Sequence, residues 1–361
     1  MVDFVEEYDY LKEEIDAAYL RVMESGIYIL GSEVSNFEKE FAEKCASKYC
    51  IGVGNGLDAI HLSLRSLGVG EGDEVIVPSN TYIATWIGVS LAGAIPVPTE
   101  PSEETYNMDP NLIEEKINQK TKAILPVHLY GQPADMGPIL EIAEKYDLKV
   151  VDDAAQAHGG RYKGKQIGSV ADATAFSFYP TKNMGAMGDG GAVTTSDPEI
   201  AAKLRMLRNY GESDKYVNDL IGFNSRLDEL QAAFLRVRLK HLDEMNERKT
   251  KISRRYLKEI ENKSVQLPIV ASYATPVWHQ FVLRTEQRYK LKLFLKENGI
   301  ETLIHYPIPP YKQLAYKNLG FVFDAFKIAN DMANEVLSIP IRWLMDSESV
   351  DSVIKIINSW G

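Results

Sequence analysis

Lys182 stands in AFSFYPTKNMGAMGDGGA, residues 175–192, a stretch otherwise crowded with small and apolar side chains. A lysine in such surroundings loses part of its hydration, which lowers its pKa and makes its amine a better nucleophile. The competing reading is a lysine whose head reaches the surface along an apolar stem. Asp153 ends the apolar run Leu148 to Asp153 and is followed by AAQAHG. A carboxylate there is costly to desolvate unless it meets a cation. The protonated nitrogen of a pyridine ring is one such cation, and the pairing keeps the ring an electron sink. A helix N-cap or a structural ion pair would also satisfy Asp153. Between residues 51 and 64, IGVGNGLDAIHLSL places a Gly-rich turn between a strand and a helix. Backbone amides and a helix N-terminus can bind an anion there.

A dinucleotide-binding turn fails on two counts. The GxGxxG pattern needs Gly at position 57, where Leu57 stands. The acidic residue expected about 20 positions on, at the end of the next strand, is missing, because Asp73 and Glu74 precede that strand. Gly54 and Gly56 therefore suit a monophosphate better than a pyrophosphate. Ser177 and Ser79 are candidate hydroxyl donors to it, against the ordinary reading of loop or cap serines.

The elements that must position these residues alternate through the first two-thirds of the chain. Helical spacing covers 8–25, 33–48 and LDAIHLSLRSLGV. Strands are expected at YCIGVG, DEVIVPS, AIPVPTE, KAILPVHLY, 148–153 and ATAFSFY, with helices at TYIATWIGVSLAG and GPILEIAEKYD. Short apolar strands alternating with helices imply a parallel sheet covered on both faces. In open parallel sheets, ligands bind beyond the carboxyl ends of the strands, so Asp153, Lys182 and the Gly turn can share one pocket. After GDGGAVTTS the pattern turns to long charged helices at 197–208 and 227–260, then to mixed short strands and helices. This divides the chain into a large α/β domain over 1–245 and a smaller α+β domain over 246–361, with the N-terminal helix a candidate to pack on the latter.

Composition narrows the function. The 361 residues are 45% apolar and 25% charged, ordinary values for a globular protein. A net charge of −11 with no basic stripe argues against nucleic acid as a partner. No apolar run approaches the roughly 20 residues of a membrane span, and the acidic start MVDFVEEYDYLKEEID differs from a secretory leader. A cytoplasmic protein is expected. Cys45 and Cys50 fit neither a redox pair nor a zinc knuckle, and the six scattered histidines give no metal-ligand spacing, so no metal is expected.

VDDAAQAHG, SFYPTKN, GDGGA, GFNSRLDELQAA and IHYPIP occur in that order. Together they resemble the nucleotide-sugar aminotransferases of the DegT/StrS type over essentially the whole chain. The resemblance implies the pyridoxal-phosphate (PLP) transferase fold of type I, with a mostly parallel, seven-stranded-type sheet and a small C-terminal domain. It also implies a homodimer with shared active sites. By the same resemblance, Lys182 holds the cofactor covalently, Asp153 partners the pyridine nitrogen and Gln156 packs beside the ring. Tyr82 stacks on the ring, and the Gly56 and Leu57 amides with Ser177 cradle the phosphate. Leu57 stands where many relatives carry Thr, which removes a hydroxyl and keeps the amide. Asn224 reaches a neighbouring subunit's phosphate. His305 and Tyr306 line the sugar pocket, with Tyr179 and Lys215 as further substrate-side candidates. Arg205, Arg208, Lys215 and Lys312 are candidates for the substrate's diphosphate, each competing with an ordinary solvated role.

The activity this implies is transfer of an amino group from an amino acid, L-glutamate by resemblance, to a dTDP-linked 3-keto-6-deoxyhexose. The cofactor passes through its pyridoxamine phosphate form. Related dehydratases carry His in place of the lysine, and Lys182 favours transamination. The alternatives are a 4-keto aminotransferase of the same family and a PLP-binding regulatory protein without turnover. The intact set of Lys182, Asp153 and Gln156 argues against the latter. An NAD-dependent sugar oxidoreductase is disfavoured by the glycine spacing.

Overall fold

In the computed structural model, residues 3–322 and 325–361 are described. Helix α1 (Phe4–Ser25) starts where the Asp3 carboxylate accepts from the Val5 and Glu6 amides, and it stops at Gly26 in the left-handed conformation. Helix α2 (Ser32–Lys44) follows a glycine N-cap that has no side chain to offer. Glu229, almost 200 positions on, supplies the cap by accepting from the amides of Gly31, Glu33 and Val34 at 2.8–2.9 Å.

The chain then runs β1 (Tyr49–Val53), α3 (Gly56–Ser66), β2 (Glu74–Pro78), α4 (Ile83–Leu91), β3 (Ile95–Thr99), β4 (Thr121–Ile124), α5 (Met136–Lys145) and β5 (Lys149–Asp153). A short hairpin of β6 (Arg161–Tyr162) and β7 (Lys165–Gln166) precedes β8 (Ala173–Ser177) and β9 (Gly191–Thr195). One seven-stranded sheet results, in the order β1-β9-β8-β5-β4-β2-β3. Its strands from β3 to β8 pair in parallel, as the alternating elements predict. β9 is antiparallel to both β1 and β8 and was not among the expected strands. Gly191 and two threonines hide an element whose five residues are all buried. KAILPVHLY is extended only over β4, because Pro126 and the turn at Leu129–Gly131 end it.

Residues along each strand alternate between two cores, as the pleat requires. Val75, Val77 and Val151 face α3, α4 and α6 (Pro198–Leu207). Ile76 and Val150 face α2, α5 and α7 (Glu229–Glu259). The 31-residue α7 runs between two cores, and the expected boundary at 245 falls inside it. Its Leu235 and Leu242 belong to the sheet core, while Ile252 and Tyr256 belong to a core built with C-terminal residues. Between these, α1 lies on α7 and packs on Trp343. The strands β10 (Glu212–Asp214) and β11 (Val217–Asn218) form a second hairpin, and β12 (Ala274–Thr275) pairs with β6. In the C-terminal core, β13 (Phe281–Arg284) pairs with β14 (Val336–Ile339) beside α8 (Arg288–Glu297) and α10 (Ser347–Ser359). Helix α9 (Lys327–Glu335) packs back on the sheet core instead. Among the described residues, no helix is long and apolar enough to cross a membrane.

Candidate active site

The carboxyl ends of β2, β5 and β8 meet at one place, with the loop after β8 curling over them. Asp153, the last residue of β5, is 6% exposed. Its Oδ1 accepts from the Ala155 amide at 3.0 Å, and its Oδ2 accepts from Thr85 Oγ1 at 2.9 Å. Burial raises its pKa above the usual carboxylate range, against the pull of those donors and of the Lys182 charge. A carboxylate in that state is best satisfied by a cation placed against it. One residue earlier, Asp152 accepts from His128 Nε2 at 2.9 Å, while His128 Nδ1 accepts from the Ala134 amide. This fully buried pair fixes the strand end behind Asp153.

Lys182 keeps partial access to solvent, yet burial of its amine lowers the pKa from the ordinary 10.5 to about 8, with Asp153 pulling the other way. Three histidines lie within range of its charge. Desolvation, followed by the Lys182 charge, holds His158 down to about 3, His305 to about 4 and His279 well below its usual value. All three are therefore neutral at physiological pH, and Lys182 is the basic group in this cluster that exchanges protons near pH 8.

Gln156 is held at both ends. Its Oε1 accepts from the Tyr130 amide at 2.6 Å, and its Nε2 donates to Tyr306 Oη at 3.0 Å. The Tyr306 ring tilts against Tyr82 at 5.2 Å between centroids. His305 Nδ1 meets Ser338 Oγ at 2.8 Å, and its carbonyl accepts from the Tyr130 hydroxyl. Tyr82 itself is half exposed and precedes the first turn of α4; Thr85 lies one turn further on.

At the N-terminus of α3, Asn55 Oδ1 caps the Asp58 amide at 2.8 Å. Among the described residues, the Gly56 and Leu57 amides meet no protein acceptor, as expected for a first helical turn. A Cβ on Gly56 would lie 2.4 Å from Ser177 Cβ, so only glycine lets the Ser177 hydroxyl and these amides close on one small volume. Ser225 anchors the rim, accepting from the Gly54 amide at 3.0 Å and donating to Asp58 at 2.7 Å.

The other predicted residues divide. Asn224 is exposed beside this rim, its backbone bridged to Asn209. Tyr179 is 54% exposed on the loop before Lys182. Lys215 is exposed on the second hairpin, its ammonium over the Tyr216 ring at 5.3 Å, so the single chain does not bring it to the pocket. Two readings are corrected. Ser79 is fully buried and donates to Glu100 at 3.3 Å, so its hydroxyl serves the fold. Arg208 is buried in an ion pair with Glu38 and donates to the Gly52 carbonyl at 2.9 Å, so its guanidinium is enclosed by the fold rather than offered to a diphosphate. Arg205 covers the Tyr49 ring at 5.7 Å, away from the pocket. Thr85, Tyr130, His158 and His279 were not singled out by the sequence; only Thr85, one helical turn after Tyr82, carried a usable spacing signal.

A poised amine, a buried carboxylate in need of a cation and a helix-end cradle closed by glycine fit PLP. The arrangement on this fold is that of a PLP-dependent aminotransferase. The chain belongs to the DegT/DnrJ/EryC1/StrS aminotransferase family, whose model matches residues 9–358. It is 53% identical over 350 residues to the dTDP-3-amino-3,6-dideoxy-alpha-D-galactopyranose transaminase of Aneurinibacillus thermoaerophilus, covering 97% of this chain and 96% of that one. The crystal structure of Streptomyces venezuelae DesV superimposes with a TM-score of 0.97 at 48% identity, covering 99% and 97% of the two chains. The sugar aminotransferase Spr1654 of Streptococcus pneumoniae, solved in its PLP form, gives 0.91 at 26% identity, covering 96% and 95%.

Proposed function

We propose that this enzyme moves an amino group from L-glutamate to C3 of a dTDP-linked 3-keto-6-deoxyhexose, giving a dTDP-3-amino-3,6-dideoxyhexose. The single observation that carries the chemistry is the buried Lys182 amine facing Asp153. The name of the Aneurinibacillus relative, at 53% identity, supports the carbon and the nucleotide. When bound, PLP supplies an electron sink that accepts the pair released when the donor's α-proton leaves.

The chain's own residues do the rest. Lys182 holds the cofactor through its amine and, once displaced by the donor, takes and returns a proton beside the reacting carbon. A pKa near 8 lets it serve as base and as acid near neutrality. Asp153, fixed by Thr85 and Ala155, stabilises a proton on the ring nitrogen. Gln156, locked between Tyr130 and Tyr306, holds the ring plane, and Tyr82 covers its open face. The Gly56 and Leu57 amides and the Ser177 hydroxyl take the phosphate. His305, Tyr306 and Tyr179 face the sugar side.

The enzyme works in the cytoplasm as a homodimer. Ile27 to Leu30, Tyr216 on the second hairpin (84% exposed) and Ile221 just past it (86% exposed) supply apolar surface for a second copy. That copy would bring Lys215 and Asn224 to its neighbour's pocket.

The test is spectral. L-Glutamate should bleach the yellow holoenzyme, and dTDP-linked 3-keto-6-deoxyhexose should restore the colour. Restoration by the 4-keto isomer alone would move the reaction to C4, and failure to bleach would exclude glutamate as donor.

A further inference from the structure

Helix α7 carries a lysine that the proposed reaction does not use. Lys249 is 7% exposed, and among the described residues no carboxylate comes within ion-pair distance of its ammonium. Burying an ammonium without an anion is strongly unfavourable, and a methionine would fill the same volume without that cost. The ammonium instead donates to Asn183 Oδ1 at 3.0 Å and to the His279 carbonyl at 3.4 Å. Burial lowers its pKa to about 8, with the more distant Glu7 charge pulling the other way.

Asn183 directly follows Lys182, and its amide is fully engaged. Its Nδ2 donates to Asn246 Oδ1 at 2.8 Å and to the Val277 carbonyl at 2.7 Å, which leaves Oδ1 to face Lys249, with His279 Nδ1 at 3.3 Å as a second, longer contact. Asn246, three positions before Lys249 on α7, donates to the His158 carbonyl at 2.8 Å. It comes that close because Gly159 has no Cβ and lies at positive φ. His158 belongs to the loop that follows Asp153 and carries Gln156. Val277 and Gln280 donate through their amides to the carbonyls of Gly131 and Tyr130, beside the Tyr130 amide that Gln156 accepts. Four segments that surround the cofactor site are thus tied together at Asn183, and Lys249 is the charged member of the tie.

We propose that Lys249 is a positioning residue: by gripping Asn183 it fixes the backbone from which the Lys182 side chain swings, so that the Lys182 amine returns to the same place in each half-reaction. The inference rests on the role proposed for Lys182. Its logic is geometric, because an amine on a four-carbon stem can be aimed only if its Cα stays put, and small displacements of a catalytic group cost large factors in rate.

Lys249→Met tests it, with retention of fold checked by circular dichroism. In the apoprotein, the pH dependence of Lys182 reductive methylation, read by mass spectrometry of its peptide, should move from a midpoint of about 8 toward the ordinary lysine value. In the holoenzyme, kcat should fall about ten- to hundredfold with KM little changed. The primary isotope effect with α-deuterated glutamate should rise as proton transfer becomes the slow step. A folded variant with wild-type midpoint and isotope effect would overturn the proposal, because a merely structural lysine would move neither. If Lys249→Met does not fold, Asn183→Ala makes the same cut from the other side and is read the same way. The double variant should be no worse than the poorer single one, and additive losses would overturn the link through Asn183. Turnover by Lys182→Ala would refute the role of Lys182 itself. An inactive Lys182→Ala beside an unaffected Lys249→Met would refute only this inference.

Discussion

Thr85→Val isolates what the floor of the pocket does for the cofactor. The two side chains are nearly the same shape, so the fully buried site is left without a cavity, and the substitution removes the 2.9 Å hydrogen bond to Asp153 together with the 2.9 Å contact to the buried Thr81 hydroxyl, whose loss bears on stability rather than on Asp153. A hydrogen bond to a charged acceptor contributes about 1.5–3 kcal/mol. Only part of that appears in cofactor affinity, because the bond is present in the apoprotein too. Asp153 is already pushed above the usual carboxylate range by burial, and losing Thr85 pushes it higher. The apoprotein escapes the penalty by protonating Asp153, while the holoenzyme must keep it ionised against a ring cation. The difference should approach the low end of the range, about 1.5 kcal/mol, which is about tenfold in the PLP dissociation constant. The sign with pH follows: a raised Asp153 pKa makes the variant lose cofactor at a higher pH than the wild type when acidified. Spectrophotometric titration of apoprotein with PLP, repeated from pH 5 to 8, measures both. Affinity within twofold of the wild type across that range would refute the claim that Asp153 is held as an anion for the ring nitrogen.

Lys182→Ala should abolish turnover while leaving PLP binding measurable, as followed by half-reaction spectra. Gly56→Ala must displace Ser177, since its Cβ would sit 2.4 Å from the Ser177 Cβ, and should cost about 1–3 kcal/mol of stability with a larger loss of PLP affinity. Paired denaturation and PLP titrations would show both. Glu229→Ala strips three amides of their acceptor at the start of α2 and should cost at least about 2 kcal/mol by urea unfolding, with holoenzyme spectra unchanged in shape. Burial depresses the Lys182 pKa from 10.5 to about 8, so between these values the unfolded chain binds more protons than the fold. The contribution of Lys182 to apoprotein stability therefore rises with pH across that window, and Lys182→Met should flatten this part of the profile in calorimetry. Ile221→Glu, three residues past the second hairpin, should yield monomers in analytical ultracentrifugation if that surface meets a second copy.

Most of what places the site was legible because buried parallel strands read as short apolar runs, and their polar last residues stand out. Asp153 and Ser177 are conspicuous for that reason, and Lys182 for the small residues around it. β9 was illegible for the opposite reason: GAVTT is neither alternating nor strongly apolar, and its glycine is there to clear the Asn55 carbonyl. The supporting contacts were hidden by distance along the chain. Thr85 and Asp153 are 68 positions apart, and Lys249 and Asn183 are 66 apart. Ser79, just past β2, and Arg208, at the end of α6, stayed open in the sequence because such a serine or arginine suits a phosphate or a buried carboxylate equally well. Only the positions of Glu100 and Glu38 decide between the two.

A common arrangement underlies these contacts. Each group assigned to the reaction is gripped from an element remote in sequence: Asp153 from α4, Gln156 from the Tyr130 turn and from Tyr306, and the Lys182 backbone from α7 through Asn183. Tyr306 packs on the sheet core, and α7 runs from the other face of that sheet into the next core, so the contacts that set the ring plane and those that hold the Lys182 backbone share one framework. Residues that bind the sugar and residues that aim the proton transfer would then be mechanically one set, and a long helix shared by both cores is the element suited to couple them.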